Sequence, residues 1–153
     1  MRPCLLLPLL LLVAAVTPVA GQSTVTGIRD LNFGVVIRGV QTTVAPGDPI
    51  RSGRFYARHV LNRPVQLRFT LPTTLARVGG GGTLPISFGT NDAVAQGTAG
   101  NSVPTTFNPN NPQTFVLRTS ADFYVNLGGR VSPAAGQATG AYRGTVTLTC
   151  TFF

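Results

Sequence analysis

The chain closes with Gly140-Ala-Tyr-Arg-Gly-Thr-Val-Thr-Leu-Thr-Cys-Thr-Phe-Phe153, and this stretch decides the fold. From Thr145 to Phe152, threonine and apolar side chains alternate without a break. Because successive side chains of a strand point to opposite faces, the alternation predicts a β-strand with one apolar face and one hydroxyl face. The apolar face consists of Val146, Leu148, Cys150 and Phe152.

Glycine and proline divide the rest of the chain into short segments, none of which keeps a helical period for three turns. Alternating runs predict further strands at residues 31–37, 54–60, 65–71, 84–88, 113–118 and 122–127. About seven short strands separated by turn signals indicate an all-β protein, and specifically an antiparallel β-sandwich. A small β-barrel is the alternative. The glycine run 79–82 predicts a hairpin tip, and residues 90–112 predict a long irregular loop.

The first 21 residues have the features of a secretory signal peptide. Arg2 precedes an apolar run at 5–16, and small residues lead up to Gly21. The run is short for a membrane span. We therefore expect export, cleavage near Gly21, and a single β-sandwich domain at 22–153 with no membrane span after cleavage. An uncleaved N-terminal anchor is the alternative.

The charged residues are unusual in kind: all twelve basic residues are arginine and all four acidic residues are aspartate, for a net charge of +8. A basic surface can favour anionic partners such as acidic glycans. The arginines are scattered, however, and no basic cluster is interleaved with aromatic residues. The sequence therefore predicts no nucleic-acid partner.

The cysteine count restricts covalent chemistry. Cys4 falls inside the predicted signal peptide, so Cys150 is the single cysteine of residues 22–153 and no intrachain disulfide is expected there. An unpaired cysteine in an exported protein indicates either pairing between chains or a buried thiol. Because Cys150 lies on the apolar face of the last predicted strand, burial as a small apolar residue is favoured.

Motifs for catalysis, metal binding or cofactor binding are not evident. His59 is the single histidine, and the four aspartates are dispersed along the chain. The glycine run 79–82 lacks the lysine and the strand-to-helix context of a phosphate-binding loop. The sequence therefore predicts a protein that is not an enzyme and that needs no metal or cofactor.

Two groups of residues resemble known families. Gly140, the fourteenth residue from the end, together with Val146, Leu148, Cys150 and the penultimate Phe152, resembles the C-terminal motif of subunits assembled by the chaperone–usher pathway. Three earlier motifs resemble the DUF4402 family of exported bacterial proteins, which is similar to the spore-coat-U-like, archaic chaperone–usher pilins. These motifs are Leu31-x-Phe-Gly-x-Val, Gly53-Arg-Phe and Pro64-Val-x-Leu-x-Phe-Thr-Leu-Pro72.

The resemblance implies an Ig-like sandwich that lacks one strand. It implies that a periplasmic chaperone supplies that strand beside the subunit's C-terminal strand during export through an outer-membrane usher. It further implies self-polymerisation, in which the N-terminal segment of the next subunit replaces the chaperone. On this basis Gly140, Val146, Leu148, Cys150 and Phe152 are the expected interaction residues.

Two alternatives remain for the N-terminal segment, because residues 22–30 contain few bulky apolar side chains. Either residues 31–37 extend a donor strand, or they form the domain's own first strand and complete the sandwich. The residues concerned are Val25, Leu31, Phe33, Val35 and Ile37. The first alternative predicts a structural subunit of a bacterial surface fibre or coat. The second predicts a self-complete monomer, carried from the periplasm to the cell surface, that binds anionic glycans or other surface polymers.

Overall fold

The computed structural model describes residues 25–58, 62–100, 102–116 and 122–153. In these ranges every regular element is a β-strand, and every strand pairing is antiparallel. The strands are β1 (Val25–Arg29), β2 (Thr42–Val44), β3 (Gly53–Arg58), β4 (Pro64–Thr70), β5 (Thr74–Arg77), β6 (Thr83–Ser87), β7 (Ala93–Gly97), β8 (Thr105–Phe107), β9 (Gln113–Val116), β10 (Asp122–Leu127), β11 (Gly129–Val131), β12 (Tyr142–Arg143) and β13 (Thr147–Phe152). The all-β prediction is confirmed, whereas the predicted number of about seven strands is too low.

The strands form three sheets, consistent with a β-sandwich. A five-stranded sheet has the order β1-β3-β10-β7-β8, and a three-stranded sheet has the order β13-β4-β9. Side chains from both of these sheets meet in one main core. A second five-stranded sheet, with the order β12-β5-β6-β11-β2, surrounds a smaller apolar cluster.

Breaks within long strands explain part of the larger strand number. Gly128 lies between β10 and β11, and a Cβ at this position would lie 2.4 Å from the carbonyl oxygen of Val44. Only glycine allows the backbone to approach this closely as the chain leaves the first sheet for the second. Residues 71–73 separate β4 from β5, and residues 144–146 separate β12 from β13.

The main core is a packed layer between the first sheet and the three-stranded sheet. Phe69 links it across the layer, because its ring lies 5.7 Å from that of Phe55 and 6.4 Å from that of Phe107. Phe107 in turn meets Phe115 edge-on at 5.2 Å. Aromatic pairs at these separations add to the stability gained from apolar burial. The buried members are Ala57, Val65, Leu67, Phe69, Ala93, Ala95, Phe107, Phe123, Val125, Leu127 and Leu148.

The prediction of a long irregular loop at 90–112 is wrong, because the range contains β7 and β8. Ala93 and Ala95 of β7 are buried in the main core. Alanine carries so little apolar surface that an alternation of alanines with polar or small residues gives a weak strand signal. The short β8 follows turn-forming residues that favour a loop prediction.

The other strand predictions differ from the structure mainly at their ends. The predicted strands at 65–71, 84–88 and 122–127 correspond to β4, β6 and β10, and β5 and β6 form a hairpin around the glycine run. The strand predicted at 54–60 is present as β3, and the strand predicted at 113–118 is present as β9. Residues 59–60 and 117–118, including His59, lie outside the described residues, as does the predicted signal peptide.

Candidate functional site

The C-terminal strand β13 is an edge strand. It pairs with β4 from Thr147–Thr70 to Phe152–Val65, and among the described strands β4 is its single partner. β1 is likewise at the edge of its sheet, and the two edge strands contact each other. An edge strand presents backbone donors and acceptors that another strand can pair with.

A cleft of ≈ 940 Å³ is lined by residues of β1 and reaches Val146, the residue before β13. One wall is formed by a segment near the start of the described chain, from Gly27 to Arg38, and a second wall by a segment near its end, from Gln137 to Val146. Apolar side chains from the strands between the walls line the rest of it. These are Phe55, Leu75, Leu84, Ile86 and Leu127.

The first wall does not form the strand predicted at 31–37. Leu31 and Phe33 do pack against the smaller cluster, but Gly34 adopts a φ of +68°. Its N–H donates to the side-chain Oδ1 of Asn32 at 2.8 Å, which closes a local turn. A strand alternation cannot continue through such a residue.

The turn at Gly34 changes which side chains face the protein. Val36 packs against the smaller cluster, whereas Val35 is 97% exposed and Ile37 is 67% exposed. The regular alternation of four apolar residues in the sequence is therefore broken in the middle. The alternative in which residues 31–37 form the domain's own first strand is wrong, because the first described strand is β1, which contains Val25. A donor role for residues 31–37 stays a prediction.

A hydrogen-bonded clamp fixes the point where β1 meets this wall. The Arg29 guanidinium donates to the carbonyl oxygens of Ser52 at 2.7 Å, Asp48 at 3.3 Å and Pro49, and to the Ser52 hydroxyl at 2.8 Å. The Ser52 hydroxyl is buried and donates to the carbonyl of Asp48 at 2.6 Å. The clamp ties the end of β1 to the turn before β3.

The turn that receives Arg29 is itself ordered by a carboxylate. Asp48 Oδ1 accepts hydrogen bonds from the backbone N–H groups of Ile50 and Arg51, each at 2.8 Å. The bond from Arg51, followed by that from Ile50, lowers the pKa of Asp48 below its usual value, because both bonds favour the charged form. Neutral carbonyl oxygens thus surround the Arg29 guanidinium, and backbone N–H donors bind the Asp48 carboxylate.

The second wall is held to the β5–β6 hairpin by side chains. Arg77 Nε donates to the carbonyl of Thr139 at 2.8 Å, and the Tyr142 hydroxyl donates to the carbonyl of Ala138 at 2.6 Å. Gln137 Nε2 donates both to the Tyr142 hydroxyl at 2.7 Å and to the carbonyl of Thr83 at 3.0 Å. Gly140 lies in the middle of this wall with a φ of +143°, a backbone conformation that favours glycine.

The predicted interaction residues fall into two groups. Gly140 and Val146 line the cleft, together with Leu31, Phe33 and Val35, and Val146 also packs against the main core. The remaining residues of the C-terminal stripe and the first strand pack against the main core instead, and they are Val25, Leu148, Cys150 and Phe152. Ile37 belongs to neither group, although its neighbours Val36 and Arg38 line the cleft. The cleft-lining residues of β5 and β6 were not predicted, because no local pattern links them to the C-terminal strand.

Cys150 lies at the border between the core and the edge of β13. Its side chain is half-buried against the main core, and it is a free cysteine. Burial raises the pKa of the Cys150 thiol from 9.0 to about 11, because the thiolate would lose its hydration. The thiol is therefore protonated at neutral pH and behaves as an apolar side chain.

The described ranges contain little that suggests chemistry. They hold no group of three or more histidine, cysteine, aspartate or glutamate side chains that could bind a metal ion. Asp122 lies 3.5 Å from Arg58, and Asp92 lies 3.9 Å from Arg130, so these two carboxylates are part of separate ion pairs. Nor does this part of the chain contain a helix long and apolar enough to cross a membrane.

In comparisons with known proteins, no family model, no curated protein and no solved structure matches the chain.

Proposed function

We propose that the chain is an exported structural subunit of a bacterial surface fibre or coat, and that it is assembled by β-strand addition. The observation that carries the proposal is the cleft between two segments near the start and end of the described chain, which reaches Val146 next to β13, an edge strand that pairs with β4 and no other described strand. An added strand would complete an Ig-like sandwich. It would hydrogen-bond to the edge of β13 and place alternate side chains in the cleft, which is the general mode of β-augmentation.

The energetic argument rests on the cleft lining. The accessible apolar surface of the cleft belongs to its half-buried side chains, Leu31, Val36, Leu75 and Val146, whereas Leu84 and Ile86 are already buried. Each large apolar side chain that an added strand buries contributes about 1.5–3 kcal/mol. Several such side chains, spaced two residues apart, give a strand-shaped ligand both its affinity and its register.

The resemblance to chaperone–usher subunits supplies the partners in this proposal. A periplasmic chaperone would add its strand first, an outer-membrane usher would exchange it, and the strand of a neighbouring subunit would then occupy the cleft on the cell surface. Signal-peptide cleavage before this route is part of the same proposal.

Val146 offers the most direct test, because it lines the cleft next to the start of β13. We expect Val146→Asp to abolish strand addition, since a carboxylate in the cleft would lose its hydration when a strand covers it. Because Val146 also packs against the main core, circular dichroism of the purified variant checks that it still folds. Val94→Asp is the matched control, because Val94 is half-buried on β7 and does not line the cleft. The measurement is electrophoresis of cell-surface extract with and without boiling. A ladder that collapses on heating is expected for the parent and the control, and no ladder for Val146→Asp; a single band in both lanes for the parent protein would contradict the proposal.

A self-complete envelope sandwich is the second candidate, and the position of β1 favours it. Val25–Arg29 pairs with β3 in the chain's own sheet, and the Arg29 clamp holds it there. On the outer face of the same sheet the Arg54 guanidinium lies 3.8 Å from the ring centroid of Tyr124, a cation–aromatic arrangement suited to an anionic glycan. This candidate predicts a single band before and after boiling, so the same experiment separates the two.

A further inference from the structure

We propose that the outer face of the sheet β1-β3-β10-β7-β8 binds a glycan that carries carboxylate groups. The central side chains of this face are Arg54 and Tyr56 of β3 and Tyr124 and Asn126 of β10. None of these four residues lines the cleft, so the inference holds whether or not strand addition occurs. It also locates the site on which the second candidate function, binding of an anionic glycan, rests.

The four side chains are neighbours because of the strand register. Tyr56 lies directly opposite Tyr124, and Arg54 lies directly opposite Asn126. Because successive side chains of a strand point to opposite faces, these four share the face that is turned away from the main core. The residues that alternate with them pack in that core, and they are Phe55, Ala57, Phe123 and Val125. The core thus fixes the backbone beneath the outer group.

Arg54 is a cation without an acid partner. The central carbon of its guanidinium lies 3.8 Å from the ring centroid of Tyr124, its diagonal neighbour across the strands. Its register partners are Arg29 and Asn126, and it forms no ion pair or side-chain hydrogen bond with any described residue. Its Nε atom is buried without a hydrogen-bond partner. A guanidinium that is positioned by a ring and unpaired can bind a planar carboxylate through two parallel hydrogen bonds from its terminal N–H groups.

The acid nearest in register, Asp122, is engaged by other groups and does not neutralise Arg54. Its carboxylate lies 3.5 Å from Arg58 and accepts a hydrogen bond from the Tyr56 hydroxyl. Burial, followed by that hydrogen bond, raises the pKa of Tyr56, because both disfavour the phenolate. Tyr56 is therefore neutral, and its ring is held beside that of Tyr124, with 5.6 Å between the centroids.

The other groups of this face match a sugar. The two tyrosine rings are partly exposed and offer apolar surface on which the C–H face of a pyranose ring can pack. The Asn126 amide has both a donor and an acceptor and forms no hydrogen bond with a described residue, so it can bind sugar hydroxyl groups. Exposed polar side chains extend the face on either side, and they are Thr26, Gln96 and Thr106.

The charge of the face selects the class of glycan. Among its described residues Arg54 is the one cation without an acid partner, since Arg58 pairs with Asp122. A nucleic acid would need a cluster of cations, whereas a single guanidinium beside two rings can bind one carboxylate of a sugar chain. The ligand that fits is therefore a polysaccharide of uronic acids, in which each pyranose ring carries a carboxylate.

The test measures binding of a short oligogalacturonate to the purified protein by isothermal titration calorimetry. The methyl ester of the same oligosaccharide is the matched ligand, because it keeps the rings and hydroxyl groups and loses the charge. At low ionic strength we expect the acid to bind roughly fivefold more tightly than the ester, since a partly exposed ion pair contributes modestly. The preference should shrink at physiological salt, where the screening length is about 8 Å.

Variants connect the preference to this face. Arg54→Gln should remove the preference for the acid while binding of the ester persists, and Asn126→Ala should weaken binding of both ligands. Arg68→Gln is the matched control, because Arg68 is exposed on β4 in a different sheet and its loss lowers the net charge equally. Circular dichroism checks that each variant folds.

Three outcomes would overturn the inference. If Arg54 only packs on Tyr124, Arg54→Gln lowers stability and leaves the ratio of the two affinities unchanged. If Arg54→Gln and Arg68→Gln reduce the preference equally, the acid is attracted by the net charge of +8 and not by this face. The third outcome is that neither ligand binds. The boiling experiment gives a separate result, so strand addition and glycan binding can each fail alone.

Discussion

The main core and the cleft bury apolar side chains in two different ways. In the main core, two sheets face each other and residues such as Phe123 and Leu67 are almost completely inaccessible. Around the cleft, Leu75 and Val146 remain half-buried, and the nearby strands β1 and β13 are edge strands, each with a single partner among the described strands. The same chain therefore packs the main core completely but leaves apolar surface accessible around the cleft. A partner can bury that remaining surface.

The largest expected effect is in the main core. Phe123 is 1% exposed and lies in the middle of β10, where it pairs with Ala57 of β3 and Gly97 of β7. Phe123→Ala should lower the free energy of unfolding by about 3–5 kcal/mol, because it removes buried surface and leaves a cavity. Urea unfolding followed by circular dichroism measures the change. Leu75→Ala is the comparison variant in the cleft, and we expect it to cost clearly less stability while weakening strand binding; equal losses of stability would show that the cleft is as tightly packed as the core.

Two glycines provide a sharper form of the same comparison. A Cβ on Gly128 would lie within 3 Å of backbone atoms of Val44, Ala45 and Pro46, which cannot move independently of the sheet. Gly128→Ala should therefore destabilise the protein by about 3 kcal/mol, as overpacking does. A Cβ on Gly144 would also make a close contact, at 2.6 Å, but with the end of the Leu75 side chain.

The cleft gives the Leu75 side chain room to move, so we expect Gly144→Ala to cost about 1 kcal/mol or less. Urea midpoints of the two variants, measured side by side, test the expectation. The displaced Leu75 would then narrow the cleft, and Gly144→Ala should weaken strand binding more than it lowers stability. A midpoint for Gly144→Ala as low as that of Gly128→Ala would contradict an accessible cleft.

The sequence was most informative where one face of a strand is buried and no special backbone interrupts it. Residues 65–71 and 145–152 satisfy both conditions, and they are present as β4 and β13 with their apolar faces toward the main core. At residues 31–37 the alternation is equally regular, but the positive φ of Gly34 shifts the pattern, so that Val36 and not Val35 faces inward. A glycine in an alternating run can belong to a regular strand or can form a turn, and the sequence pattern does not distinguish the two.

The cleft could not be predicted from local patterns for a different reason. Its walls are two segments near the start and end of the described chain, and its apolar lining comes from β3, β5, β6 and β10, so no single segment contains its signature. Of the predicted apolar face of the C-terminal strand, Val146 lines the cleft, whereas Leu148 is buried in the main core. The sequence did identify residues in both segments that line the cleft, namely Leu31, Phe33 and Val35 in one and Gly140 and Val146 in the other.

The smallest expected effect lies at Cys150, where the packed and accessible parts of β13 meet. The pKa of its thiol is about 11 in the folded protein, against 9.0 for an ordinary thiol. As the pH rises above 9, the thiol ionises in the unfolded chain before it ionises in the folded one, so folding loses stability until the pH passes about 11. We therefore expect the stability difference between the parent and Cys150→Ala to shrink with rising pH across this window, while other titrating groups cancel in the difference.

Iodoacetamide should also react with native Cys150 at pH 8 much more slowly than with a free thiol, because little thiolate is present. If Cys150 reacts at the rate of a free thiol, its side chain is not part of the core, and more of β13 is accessible than the half-burial of Cys150 indicates.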